Sequence, residues 1–165
     1  MGRVIALAGP YRARHTDRVH RAPLAGYILR GDLLTVLTAP VIYSLIVAFA
    51  WLDLSVSFYQ AVCFRAWGIA RVRRREYFAL DRHKLVYLNG LEKVNCLYCS
   101  YVNGLVAYVR EVAARTEQYW CPIRHARRTR HSHHRAAGFA AYGDGAAYRE
   151  SLPALRSRLK GKMNG

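Results

Sequence analysis

The sequence predicts an all-α protein: a membrane-inserted helix or helical hairpin followed by a cytoplasmic helical hairpin. Three observations carry that expectation. From Leu33 to Cys63 there is no Lys, Arg or His, and the only carboxylate is Asp53. From Asp81 to Pro122 apolar residues recur at helical steps. Finally, 53% of the 165 residues are apolar while the formal net charge is +16. Those two properties compete in water, but they coexist when the apolar part lies in a bilayer and the charge faces anionic headgroups. The length suits one domain with a real core.

Residues 1–32 read as a basic N-terminal arm with six arginines against Asp17 and Asp32. Thr16 or Asp17 could cap a short helix there, ended near Pro23. The run Val4–Ala8 is too short for the apolar core of a cleavable signal, so none is expected.

Residues 33–69 form the membrane-inserted segment. Leu33–Leu52 is an uninterrupted apolar run, and 20 residues at about 1.5 Å each match a hydrocarbon core of about 30 Å. Pro40 should kink it, which neighbouring helices can tolerate in a membrane. Leu54–Ile69 is a second apolar stretch carrying Phe58, Tyr59, Phe64 and Trp67. Arginines flank the block on both sides: Arg14, Arg18, Arg21 and Arg30 before it, then Arg65, Arg71, Arg73, Arg74 and Arg75 after it. The positive-inside rule keeps such clusters in the cytoplasm. One topology therefore enters and returns, with Asp53 capping the second helix. The other is a single span followed by an interfacial helix anchored by Tyr59 and Trp67. Both place the basic C-terminal part in the cytoplasm. The Arg71–Arg75 run fits headgroup binding at about 1 kcal/mol per charge, and no aromatic-interleaved motif speaks for nucleic acid.

Residues 70–125 read as a helical hairpin. Leu85, Leu88 and Leu91 mark a first helix capped by Asp81, and Asn103-Gly104 breaks it. Leu105, Val106, Val109, Val112 and Ala113 line one face of a second helix, against Arg110, Glu111 and Arg115, ending before Pro122. Three of the four cysteines fall here, as Cys96-x2-Cys99 and then Cys121-x3-His125. These are four metal-ligand residue types at ligand-like spacing, suited to zinc or to iron, including an iron–sulfur centre. Glu92 and Glu117 each precede a cysteine by four residues and so share its helix face, as outer-shell support for a metal or as ordinary ion pairs with Lys93, Arg115 or Arg124. A straight second helix would carry Cys121 roughly 25–30 Å from the bend, so a shared site requires a kink near Gly104 or a late helix start. The rival chemistry is thiol–disulfide exchange at Cys96 and Cys99, though no thioredoxin-like strand precedes them. Cys63 reads as a small hydrophobe.

Residues 126–165 are a basic, Gly/Ala-rich tail. The run Arg124–Arg135 suits a solvated or lipid-bound segment. Ser151 could cap a short amphipathic helix with Leu152, Leu155 and Leu159 on one side.

The segment from Asp81 to His125 resembles a family of small uncharacterised proteobacterial membrane proteins, whose shared pattern is YLN-x-x-EK-x-NC-x-YC-x-Y-x-NG, then RTEQYWCPI-x-H. It covers about a third of the chain. The resemblance implies a bacterial inner-membrane protein and transfers no catalytic residue. The expected function is therefore an inner-membrane-anchored protein with a structural or electron-transferring metal site, with a thiol enzyme or a metal-free architectural adaptor as alternatives. Whether it is an enzyme is left open. Expected partners are anionic lipids and a second membrane protein.

Overall fold

The computed structural model describes residues 20–23, 26, 33–127 and 132–160. The cap expected at Thr16 or Asp17 lies outside them. Among the described residues three α-helices dominate: α1 (Leu33–Tyr59), α2 (Gly90–Trp120) and α3 (Gly145–Ser157). Among the described residues no strand forms, and only two isolated bridges occur. The protein is all-α. Its described residues fall into two compact units that interleave along the chain, the first within Met1–Leu52 and Arg73–Val106, the second within Asp53–Val72 and Ala107–Gly165.

Helix α1 runs unbroken through both Pro40 and Asp53. The entering-and-returning pair with Asp53 as a cap is therefore corrected to one helix. Nothing near Asp53 supplies a glycine or proline to turn the chain, and its carboxylate accepts a hydrogen bond from Ser57 Oγ one turn on at 3.3 Å. Other hydroxyls also close on the helix itself, Thr38 Oγ1 donating to Leu34 O at 2.8 Å and Ser44 Oγ to Val41 O at 2.7 Å. None of the 27 residues is buried. Continued through a π-helical turn, Gln60–Phe64, the apolar stretch Leu33–Phe64 contains an 18-residue window of mean hydropathy 2.2 and is long and apolar enough to cross a membrane. It ends at Gly68, whose φ of 69° is a left-handed conformation that side chains resist. Ile69 N donates to Phe64 O and Gly68 N to Arg65 O, the paired bonds of a Schellman motif, with buried Ile69 and Phe64 as its apolar contact.

Helix α2 begins later than the Asp81 cap predicts. Residues Arg82–Lys84 make only a single 3₁₀ turn, without a side-chain cap bond from Asp81. Asn89 is the cap instead. Its Oδ1 accepts from Glu92 N at 2.9 Å while Glu92 Oε2 accepts from Asn89 N at 2.8 Å, a reciprocal capping box. The predicted hairpin is also corrected, because α2 passes through Asn103-Gly104 and stays helical for 31 residues. The glycine serves packing rather than a break. A Cβ at Gly104 would stand 2.7 Å from Tyr77 O and 3.0 Å from the Phe78 ring, so the 77–78 segment seats against the bare backbone. Gly104→Ala should therefore destabilise the protein by about 1–2 kcal/mol, overpacking outweighing the helix propensity that alanine adds. Gly145→Ala, with no atom within 4 Å of its Cβ, should be neutral or stabilising in the same thermal melt. Equal melting shifts for the two variants would refute this.

In the first unit the Tyr43 hydroxyl donates to Asn95 Oδ1, its ring meets Tyr98 edge-on at 6.0 Å, and Tyr98 Oη donates to Ile42 O. In the second, Phe64, Ile69, Val72, Tyr108, Val112, Phe139, Leu155 and Leu159 form the core. Gln60, 2% exposed, braces it by accepting from Val72 N at 2.7 Å and donating to Tyr108 Oη at 3.0 Å. Helix α3 starts at Asp144, whose Oδ1 accepts from Ala147 N at 2.9 Å. That corrects the Ser151 cap by nearly two turns. Of the predicted face Leu152, Leu155 and Leu159, Leu155 and Leu159 are buried and Leu152 is half-buried, Leu159 lying just past the end of α3. Part of the Gly/Ala-rich tail is ordered as well, with a 3₁₀ turn at His134–Gly138.

Candidate functional site

Cys96 and Cys99 sit inside α2 in the first unit, half-buried and exposed respectively, while Cys121 is exposed just past the helix end in the second. Cys121 N still donates to Glu117 O, so the helical rise continues to it. Twenty-two residues at about 1.5 Å each separate Cys99 from Cys121 by roughly 33 Å, against a zinc–sulfur bond of about 2.3 Å. The predicted convergence of Cys96, Cys99, Cys121 and His125 needed a break at Gly104, and there is none. Among the described residues no three of His, Cys, Asp and Glu are grouped to hold one ion. Glu92 belongs to the capping box, and Glu117 Oε2 pairs with His133 Nε2 at 2.8 Å rather than with Arg115 or Arg124. Cys96 and Cys99 also lie beyond the first turn of α2, out of reach of the positive helix end that activates thiols in exchange enzymes.

What the structure does assemble is a polar network on the second half of α2. Glu111 Oε1 accepts from Arg115 Nε at 2.9 Å, one turn away, and from Arg135 Nη2 at 2.5 Å. Arg115 also donates to Ala70 O, and Arg135 to Gln118 Oε1 at 3.0 Å. Gln118, 4% exposed, passes the network to Leu155 O. Burial pulls the Glu111 carboxyl toward a raised pKa, but hydrogen bonds and positive charge from Arg135 and Arg115 outweigh it and hold it below the ordinary value of 4.5. The i,i+4 spacing of Glu111 and Arg115 was readable on the polar face; Arg135, inside a run that looked solvated, was not.

The end of α2 is closed by α3. Arg156 Nε donates to Tyr119 O at 2.8 Å and its guanidinium lies 4.8 Å from the Tyr119 ring, while Tyr148 Oη reaches Trp120 O. Trp67 stacks on Tyr119 at 5.6 Å and meets Trp120 and Tyr59 edge-on at 5.2 and 6.0 Å. An aromatic cluster thus collects where the apolar stretch ends. Beside the Glu117–His133 pair opens a cavity of about 520 Å³ walled by residues 123–127, 132–134 and 136–137, and an Ile123–Ala140 bridge just past the second wall ties it back to the first. No protein family model, curated protein or solved structure matches this chain.

Proposed function

We propose that this protein is an architectural adaptor of the bacterial inner membrane, spanning it once through α1 and holding its basic C-terminal part at the cytoplasmic surface. The observation that carries the reading is the exposure of α1. Twelve of its large apolar side chains, from Leu33 to Phe58, are 37–72% exposed. At about 1.5–3 kcal/mol for full burial of each, leaving them half-exposed in water forgoes on the order of 10 kcal/mol, as much as the entire stability of a typical domain. A bilayer removes that cost. At about 1.5 Å per residue the 32-residue stretch reaches about 48 Å, enough for hydrocarbon core and headgroups together.

Orientation follows from charge. Seven Lys or Arg lie in the 20 residues after Phe64 and four in the 20 before Leu33, so the positive-inside rule keeps the C-terminal side in the cytoplasm. Tyr59, Trp67, Tyr119 and Trp120 suit the interfacial aromatic belt at that end. The resemblance to small proteobacterial membrane proteins points to the same compartment. Partners of this chemistry are anionic lipids and a membrane protein that the adaptor holds near them.

Labelling tests the arrangement. With Cys121 as the sole cysteine, a membrane-impermeant maleimide should label the protein in inverted inner-membrane vesicles and leave it unlabelled in intact spheroplasts. Labelling in spheroplasts, or recovery of the chain in the alkaline carbonate supernatant, would sink the proposal.

A further inference from the structure

The cavity beside Glu117 and His133 is cationic, and the proposed anchoring does not use it. Its walls carry Arg124, His125, Arg127, His133 and His134, and among its lining residues the only carboxylate, Glu117, is engaged with His133. Arg124, His125, Arg127 and His134 are exposed, and among the described residues neither arginine takes part in an ion pair. His133 is different. Its Nε2 is held by Glu117 at 2.8 Å, and its Nδ1 is a buried atom without a hydrogen-bond partner. A buried polar atom left unmatched is uncommon in a folded protein, where water or a ligand ordinarily supplies the partner. The walls are two segments of the Arg124–Arg135 run, the turn after α2 and the 3₁₀ turn at His134–Gly138, and the Ile123–Ala140 bridge folds that run back on itself into a concavity.

We infer that this cavity binds a phosphoryl group. Arginine presents fork-like donors that match phosphate oxygens two at a time, and several histidines around them add directional N–H donors that a lysine patch would lack. A volume of about 520 Å³ holds a phosphate with a small organic group attached. The phosphoryl group can come from a soluble phosphate or from an anionic lipid headgroup, and the inference rests on the second unit's own geometry, independent of whether α1 spans a membrane.

The full chain in maltoside micelles, which contain no phosphate, provides the test by calorimetry at constant ionic strength. One arm titrates inorganic phosphate, the other dioctanoyl phosphatidylglycerol with dioctanoylglycerol as its phosphate-free control. At least one phosphate-bearing probe should bind saturably at one site per chain. Arg124→Gln with Arg127→Gln should weaken that binding by roughly tenfold or more, whereas the same charge change at exposed Arg71 and Arg73 should leave it within about twofold. Tighter binding of inorganic phosphate assigns the site to soluble phosphates, and tighter binding of phosphatidylglycerol assigns it to headgroups. Absence of saturable binding by either probe up to about 10 mM, equal losses in the two variants, or equal binding of dioctanoylglycerol would each overturn the inference. Since neither pair of arginines supports the Glu111 network, an unchanged melting temperature should accompany both variants.

Discussion

Replacing Leu45 and Val47 together with arginine should release the chain from the membrane. The two positions lie near the middle of Leu33–Phe64 and are 50% and 72% exposed. In a bilayer each arginine at the helix centre costs about 2.5–3.5 kcal/mol and forfeits a few tenths from the apolar residue it replaces, so the pair shifts insertion by roughly 6–8 kcal/mol. At 1.4 kcal/mol per decade that is a change of about four orders of magnitude or more in the inserted fraction. In water the sign reverses: two exposed apolar side chains become charged, packing is untouched and solubility improves. The outcomes are therefore opposite rather than graded. Alkaline carbonate fractionation of the variant, beside a Leu80→Arg control outside the span, distinguishes them. Leu80 is 43% exposed, and its substitution should leave fractionation unchanged. If the double variant stays in the carbonate pellet as the parent does, α1 is not a transmembrane helix.

Helix existence was legible in this sequence, while helix ends were not. The apolar block reads as a helix from its length and composition, with Pro40 opposing it, and the face of Leu155 and Leu159 is visible from spacing alone. Boundaries went wrong wherever one residue type had two physical uses. Asp53 suits a cap in one of the two topologies the sequence allows, yet its carboxylate closes on Ser57 within the same helix. Asn-Gly is a helix breaker by type, yet Asn89-Gly90 is the start of α2, because the carboxylate three residues after Asn89 completes a capping box. Gly104 reads as a break, and its lack of a Cβ instead admits Tyr77 and Phe78, a contact no local pattern reveals.

The candidate metal site turns on the same ambiguity, since Cys96, Cys99, Cys121 and His125 of one chain converge only if Gly104 turns it, and α2 runs straight through Gly104. Spacing in sequence stands for spacing in space only within a loop, and a continuous helix converts it into distance. The network that does form was hidden for the opposite reason. Arg135 reaches Glu111 across 24 residues and His133 reaches Glu117 across 16. Both come from a basic run whose composition suggests a solvated tail, and only tertiary packing selects which of its charges turn inward.

Glu111→Gln should be the most damaging single polar substitution in the second unit. The carboxylate is 11% exposed and joins Arg115 and Arg135, themselves 19% and 20% exposed. Glutamine keeps the volume but not the charge, and its amide turns donors toward donors. Removing one partner of a fully buried pair costs about 3–5 kcal/mol. Because about a fifth of each arginine still reaches water, roughly 2–3 kcal/mol is the expected loss, a fall in Tm of about 5–10 °C for a chain of this size. Acid separates this electrostatic contribution from simple packing. The folded carboxyl titrates below 4.5 because the arginine bonds outweigh the opposing pull of burial. Its stabilisation is therefore complete above the unfolded value and lost as pH falls through the folded one. Thermal melts in micelles from about pH 7 to about pH 3 should show the gap between parent and variant wide at neutral pH and closing below about 4.5. A gap that stays constant across that range would mean the variant acts through shape, and that the two arginines do not depend on the charge they surround.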